Sequence, residues 1–527
     1  MIGGRGTSRR WRRFLGNPTS WVGLAGAGRR RRRFLPTHPP ADHAGRSRLF
    51  QARAVPAEAT AIAGAPFMAY QTINPFDGSV VQTFQEFSDT ELASALDSAA
   101  DCFAGWRQTS FAERAAIAHK AASLLRKQSG DYARLITLEM GKRIEEAEGE
   151  VALSADIIDY YADHAEAFLK PQPLKPESGE AVIESSPLGV LFGVQPWNFP
   201  YYQLARFAAP NLMAGNVVMV KHAGCVPQCA QAFEKLWRDA GAPAGAYTNL
   251  VISYDQVNAV IDDPRIKGVA LTGSADAGKS VAARAGQNLK KSTMELGGSD
   301  AFIVLEDADL DKTVEWAVWG KMNNMGQCCV AAKRFLVVDS LADRFLEKFQ
   351  AALAGLKAGD PMDRATTLAP LSTEGALTKL VEQVDKAVAQ GATLVMGGKR
   401  LDRPGFFMEP TILTDIAPDT AAFREEFFGP VALFFRVKDE DEAVALANDS
   451  DFGLGGSVFT QDIARGKRVA ERIETGMVFI NQPTWTAPDL PFGGINISGY
   501  GRELSGLGIQ EFVNKKLVRV ALIDAAA

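Results

Sequence analysis

From residue 216 onward, apolar runs of strand length alternate with amphipathic stretches of helix length, and this rhythm restricts the fold more than any other feature of the chain. Residues 216–221 (NVVMVK) are a short apolar run and 226–240 a helical pattern. Residues 247–252 (YTNLVI) read as a second strand, 255–263 as a short helix, and 267–273 (KGVALTG) as a third strand leading through GSADAG into another helix. Alternation at this spacing predicts parallel strands joined by crossover helices. The rhythm restarts after Glu295: residues 300–305 (DAFIVL) and 334–338 (RFLVV) read as strands, 309–324 and 341–357 as helices. A chain of 527 residues exceeds what one core organises, so a second α/β domain is expected to begin near Gly297.

The residues ahead of this region read as helical. Two amphipathic helices are expected between Asp89 and Gln128, with Asp89 as N-cap and Glu91 in the first turn. A third is expected from Asp131 to Lys170. Residues 171–180 (PQPLKPESGE) read as a Pro/Gly loop, and AVIESS and VLFGVQP as strands. No apolar run approaches the roughly 20 residues that cross a bilayer, so no membrane partner is expected.

Residues 1–67 differ sharply. They hold 13 arginines, no lysine, and only Asp42 and Glu58, a balance of +11 within a chain whose net charge is −5. Three readings compete: a basic nucleic-acid or membrane-surface arm, an organelle transit peptide, and upstream sequence preceding a true start at Met68. The missing lysine and the abrupt ordered pattern from PFMAYQTINPFDG favour the last. A cytoplasmic location follows from that reading, an organelle matrix from the second. The acidic remainder argues against nucleic acid as a partner. Five cysteines without a CxxC fit reduced thiols, and five scattered histidines without HExxH or paired Cys/His spacing argue against a metal site.

Chemistry concentrates between Ser292 and Arg334. Glu295 stands beside a double glycine, and 34 residues later Cys328-Cys329 follows Gly326-Gln327. A thiolate can attack and a carboxylate can take a proton from it or from water, although a buried strand end and two core cysteines read equally well from these residues alone. Gly273-Ser274 through Gly278 follows a strand and opens a helix, where free N–H groups suit a pyrophosphate. Its GxxxxG spacing is not the usual dinucleotide fingerprint, and a tight turn explains it as well. Lys221 stands at a strand's carboxyl end, where open α/β sheets bind ligands. In Pro196-Trp197-Asn198-Phe199-Pro200, two prolines bracket a rigid turn that presents the Asn198 amide to a developing oxyanion, or simply a rigid aromatic turn of the core. Arg206, read as opening the next helix, fits either a substrate carboxylate or a structural ion pair.

PWNFP at 196–200, LTGS at 271–274, ELGG at 295–298, GQCC at 326–329, EEFFGPV at 425–431 and PFGGINISGYGRE at 491–503 occur in the order found in aldehyde dehydrogenases, which the chain resembles from about Gln71 to Val520. RFAAPNLMAGNV, VKHA, MELGGSDAFIV, AAKRFLV and GGKRLDRPGFF are similar to the bacterial branch of that family that oxidises succinic semialdehyde.

The resemblance implies a Rossmann-like cofactor domain (68–170 and 189–296), an α/β catalytic domain (297–483), and a small oligomerisation β-arm with bridging segments (171–188 and 484–527). It implies a homodimer or homotetramer acting on a small aldehyde with NADP or NAD. By the same resemblance Cys329 is the nucleophile and Glu295 the base for deacylation, while Asn198 and the Cys329 N–H form the oxyanion hole. Trp197, Lys221, His222, Ala223, Gly224, Gly273, Ser274, Gly278, Leu296, Glu426 and Phe428 would line the cofactor site. Arg206, Gln482, Trp485 and Thr486 would meet the substrate.

Two departures qualify this picture. The position three residues after Lys221, acidic in many NAD-preferring relatives, is Gly224, so a 2′-phosphate meets no repulsion and NADP is expected to at least match NAD. A second substrate-binding arginine found in animal and enteric enzymes is replaced by Asn323, which leaves glutarate semialdehyde and other small semialdehydes as alternatives. Coenzyme A as thioester acceptor and a catalytically silent scaffold are weaker alternatives, since Cys329, Glu295 and Asn198 are all present.

Overall fold

The computed structural model describes residues 70–521 and 523; the expectations for residues 1–67 fall outside the described residues. The chain builds two hydrophobic cores, each around a largely parallel sheet. The first core gathers side chains from Leu92 to Leu296 together with Cys328, Val330, Ala331, Leu454 and residues from Phe492 to Val513, and the second gathers side chains from Ala301 to Ile473.

The first sheet has six strands in the spatial order Gly499–Tyr500, Lys291–Glu295, Ile266–Thr272, Val190–Gln195, Val217–His222, Tyr247–Asn249. All neighbours are parallel except Gly499–Tyr500, which runs antiparallel to Lys291–Glu295. Strand Val190–Gln195 comes first in the chain yet sits in the middle. The winding direction therefore reverses between it and Ile266–Thr272, which opens a crevice beyond their carboxyl ends. The PWNFP turn leaves one of these strands and Gly273-Ser274 leaves the other.

The second sheet has seven strands in the order Thr393–Met396, Thr411–Thr414, Val431–Val437, Ala332–Val338, Asp300–Val304, Gly456–Phe459, Phe479–Ile480. Its strand Ala332–Val338 is buried at every residue, and the run Phe335–Val338 within it matches the continuous hydrophobic stretch of a sheet covered on both faces. A separate antiparallel sheet joins Gln172–Leu174, Glu180–Pro187 and Val513–Val520, with Val513 opposite Pro187 and Val520 opposite Glu180.

Several elements differ from the sequence expectation, each for a local reason. The helix expected from Asp131 to Lys170 is two, Ser129–Met140 and Ile144–Phe168. The break is Gly141, left-handed at φ 76°, where a Cβ would stand 2.8 Å from Pro370 Cγ. Ser88, not Asp89, caps the helix Asp89–Trp106, through a reciprocal capping box with Glu91. The expected loop at 171–180 contains the short strand Gln172–Leu174, and the strand expected over 247–252 stops at Asn249. Arg206 lies inside the helix Pro200–Ala214 rather than at its start. The helix expected over 309–324 spans Leu310–Met322 and gives way to a 3₁₀ turn, Asn323–Gly326.

Candidate active site

The 3₁₀ turn ahead of the cysteines holds a run of left-handed backbone. Asn324, Met325 and Gly326 are consecutively left-handed (φ 52°, 55° and 73°). At Gly326 a Cβ would fall 2.2 Å from the Gly429 carbonyl oxygen, so only glycine fits. Two non-glycine residues held in this region cost roughly 1–2 kcal/mol each, a strain that clusters at functional sites. The strain turns Gln327, Cys328 and Cys329 toward the first domain. The Asn198 amide donates to the Gln327 carbonyl at 3.0 Å, which puts the PWNFP turn directly on the cysteine loop.

Asn198 is itself held from behind. Its carbonyl accepts from Asn324 Nδ2 at 2.8 Å and from Lys142 Nζ at 2.9 Å. Lys142 is fully buried, pairs with Glu150, and lies 3.6 Å from the Phe199 ring centroid. Glu150 in turn accepts from the Tyr201 and Tyr202 N–H groups at the start of the helix Pro200–Ala214. The sequence reading missed Lys142, Glu150 and Asn324. A lysine and a glutamate eight residues apart in EMGKRIEEAEGE give no signal that a tertiary ion pair fixes a turn some 50 residues away.

Glu295 ends the strand Lys291–Glu295, and the two glycines that follow let the chain turn tightly across the cysteine loop. A Cβ on Gly298 would lie 2.6 Å from the Cys329 carbonyl oxygen, and one on Gly297 would lie 2.3 Å from Glu426 Oε2. Glu295 is buried, and neither carboxylate oxygen has a hydrogen-bond partner among the described residues. Burial pushes this carboxyl well above the carboxylate range; the negative charge of Glu503 adds to the effect, while Arg206 and Arg502 oppose it. A buried acceptor with nothing to accept from is destabilising in a purely structural role. The same group suits a base that waits for a water.

Cys329 is partly exposed and Cys328 buried, and both thiols are free. They hydrogen-bond to each other, so they titrate as a pair. The first proton leaves below the ordinary thiol value because the partner S–H donates to the thiolate, and the second is pushed well above it by that same interaction and by burial.

The residues expected around the cofactor divide into two groups. Trp197 and Phe428 meet edge to face, with ring centroids 5.8 Å apart, at the mouth of the crevice. Gly273 leaves open space, since the only atom near its Cβ position is Leu271 Cδ2 at 3.5 Å. Ser274 caps the helix Ala275–Gln287 by accepting from the Ala277 N–H, so the positive end of that helix faces the crevice. Lys221 Nζ lies between the Tyr70 and Tyr254 rings at 5.0 and 5.1 Å and donates only to the His222 carbonyl. Burial lowers Lys221 to about 8. A Cβ on Gly224 would touch nothing closer than Tyr70 at 3.7 Å. Tyr254, largely exposed beside Lys221, is a further wall of this pocket that no sequence signal marked.

In contrast, the His222 ring turns away from the crevice. Its two ring nitrogens lie 3.1 Å from the Gln195 and Pro200 carbonyls, and burial lowers it to about 4, so it ties strand to turn as a neutral group. Leu296 and Gly278 pack on one another, with the Gly278 Cβ position 2.6 Å from Leu296 Cδ1, which holds the helix against the sheet. Ala223 is partly exposed beside Gly224. Glu426 accepts from the Gly298 N–H at 3.1 Å and lies 3.0 Å from Lys333 Nζ.

Of the two readings of Arg206, substrate carboxylate or structural ion pair, the structure shows the ion pair. Its guanidinium is 2 % exposed, forms a close ion pair with Glu503, and donates to Tyr202, Gln203 and Thr272 at 2.7–3.1 Å. Four of its five N–H groups are engaged among the described residues, since a buried cation requires pairing. Thr486 joins this network through Tyr202, hydroxyl to hydroxyl at 3.0 Å. Trp485 stacks edge-on against Trp319 at 5.0 Å between centroids, and Gln482 is partly exposed nearby in the chain.

The donor set fits a dinucleotide. A lysine, a helix N-terminus, a carboxylate and two aromatic rings line one crevice at the sheet's reversal point, with open space at Gly224 and Gly273. Comparison with known proteins agrees in kind. The sequence pattern described as "Aldehyde dehydrogenase family" matches residues 63–518. A succinate-semialdehyde dehydrogenase [NADP(+)] of Deinococcus radiodurans is 51% identical over 454 residues, covering 86% of this chain and 95% of that protein. One of Mycobacterium bovis is 47% identical over 457 residues, covering 86% of this chain and 100% of its own length. The crystal structure of succinic semialdehyde dehydrogenase from Streptococcus pyogenes in complex with NADP+ superposes with a TM-score of 0.85 at 48% identity, covering 86% of this chain and all of that one.

Proposed function

The chain belongs to the aldehyde dehydrogenase family, and from that premise we propose that it oxidises succinic semialdehyde to succinate with NADP+ as the favoured cofactor and NAD+ as the alternative. The observation that carries the reading is Glu295, a buried carboxylate with no hydrogen-bond partner among the described residues, on a turn packed against the Cys329 loop.

In this reading the Cys329 thiolate adds to the aldehyde carbon. One Asn198 N–H is held by the Gln327 carbonyl, and the other, with the Cys329 backbone N–H, stabilises the alkoxide. When bound, the nicotinamide supplies the hydride acceptor, and Trp197 and Phe428 wall its side of the crevice. Lys221, beside Gly224, holds the adenosine ribose and its 2′-phosphate, and Glu426 the other ribose. Glu295 then takes a proton from water, which hydrolyses the Cys329 thioester. Because Glu295 must first lose a proton held above the usual range, turnover rises with pH.

The resemblance to dicarboxylic-semialdehyde enzymes directs the choice of substrate, and NADPH formation across succinic, glutaric, betaine and aliphatic aldehydes tests it. Succinic semialdehyde should give the highest kcat/KM, and NADP+ should at least equal NAD+. A tenfold preference for NAD+, or hexanal as the best substrate, contradicts the proposal. With Arg206 committed to Glu503, Arg206→Met should depress turnover of succinic semialdehyde and hexanal alike. A KM rise confined to succinic semialdehyde would restore the direct clamp. Self-association through the antiparallel sheet ending in Val513–Val520, which exposes Leu174, Leu517 and Val520, completes the proposal. Light scattering should then report a dimer or tetramer; a monomer at micromolar concentration rules it out.

A further inference from the structure

Lys333 has no role in the chemistry described above, yet it occupies the centre of the site. It is the second residue of the strand Ala332–Val338 and is fully buried. Its Nζ donates to the Cys328 carbonyl at 2.8 Å and to the Cys329 carbonyl at 2.7 Å, and lies 3.0 Å from Glu426 Oε1. Glu426 also takes the Gly298 N–H, and the Gly298 Cα faces the Cys329 carbonyl so closely that a Cβ would collide with it. Two segments distant in sequence therefore meet on one ammonium group, the cysteine loop and the loop carrying Glu426, and the turn after Glu295 packs against both.

We propose that Lys333 is a positioning residue that couples the nucleophile to the cofactor clamp, fixing the carbonyls of Cys328 and Cys329 while sharing its charge between the cysteine loop and Glu426. A lysine suits this task because its three donors radiate from one point, here toward two carbonyls and one carboxylate. No other protein group donates to the Cys329 carbonyl among the described residues. The same charge favours the thiolate of the neighbouring pair and opposes the burial that raises Asp300 to about 6. A change in the charge on Glu426 is then felt at Cys329 without Glu426 touching the thiol.

The inference rests on Cys329 being the nucleophile, and the test separates the two ideas. The pH dependence of iodoacetamide alkylation of Cys329 is measured in a Cys328→Ala background, which leaves one thiol in the loop. Lys333→Met removes the charge with little change of volume and should raise the midpoint by about one pH unit. Glu426→Gln leaves Lys333 charged but frees it from the carboxylate, and should lower the midpoint. Opposite shifts are not expected of a merely structural lysine. If Lys333→Met does not fold, as judged by circular dichroism and Tm, Glu426→Gln decides alone, since that side chain is partly exposed. Midpoints that stay put or move in the same direction overturn the coupling. Cys329→Ala tests the underlying reading: if aldehyde oxidation survives it, the nucleophile assignment fails, whereas its loss with unmoved midpoints sinks only the role of Lys333.

Discussion

At the scale of single residues, the site is defined by buried groups whose environments oppose their usual charge. Glu295 is raised by burial and Glu503, Lys221 is lowered to about 8 by burial, and of the two neighbouring thiols one loses its proton more readily and the other less readily than a free thiol. For Lys221 the sign is direct. Its ammonium form, which attracts a 2′-phosphate, is present below about 8 and is lost as pH rises through that value. The kcat/KM for NADP+ should therefore fall above pH 8 while that for NAD+ falls less; parallel profiles would remove Lys221 from phosphate recognition. Lys221, Gly224, Glu295, Cys329 and Asn198 were legible because each lies in a short motif or at a strand end. Lys333, Lys142, Glu150 and Tyr254 were not, because their partners are tertiary and a lone buried lysine looks in sequence like any surface one. Arg206 left two readings open for the same reason: whether a guanidinium is free or paired depends on Glu503, nearly 300 residues away.

At the scale of elements, strand existence was more legible than element ends. Apolar runs such as NVVMVK and DAFIVL fall within a residue of their strands because their burial on both faces demands continuous hydrophobicity. The helix break at Gly141 was hidden because a mid-helix glycine costs only about 1 kcal/mol, and the contact that decides the matter is Pro370, far along the chain. The 3₁₀ turn at Asn323–Gly326 is the element on which the reactive loop depends. Gly326→Ala would place a methyl group on the Gly429 carbonyl and strain a left-handed residue. It should lower kcat by at least tenfold, and reduce iodoacetamide labelling of Cys329, with only a modest loss of Tm. An active, normally labelled variant would show that the turn does not position the thiol.

At the scale of the whole molecule, two cores deliver complementary halves of one site. The first supplies the crevice at its sheet's reversal point, with Asn198 and Glu295 beyond strand ends, and seats the cysteine loop; the second supplies the strained turn at Met325 that leads into that loop. The sequence rhythm implied two α/β sheets, and the restart after Glu295 falls where the chain passes from the first sheet to the second, between Lys291–Glu295 and Asp300–Val304. How tightly the halves interlock through Gly297, Gly298 and Lys333 was not readable, since close approach of backbones leaves no periodic trace. The account's central claim is that Cys329 carries an acyl group which Glu295 releases through water. Rapid mixing of Glu295→Gln with NADP+ and succinic semialdehyde tests it. The account predicts a burst of NADPH close to one per site, little turnover afterwards, and a succinyl group on the Cys329 peptide by mass spectrometry. Undiminished steady-state turnover, or an acyl group on any residue other than Cys329, would contradict it.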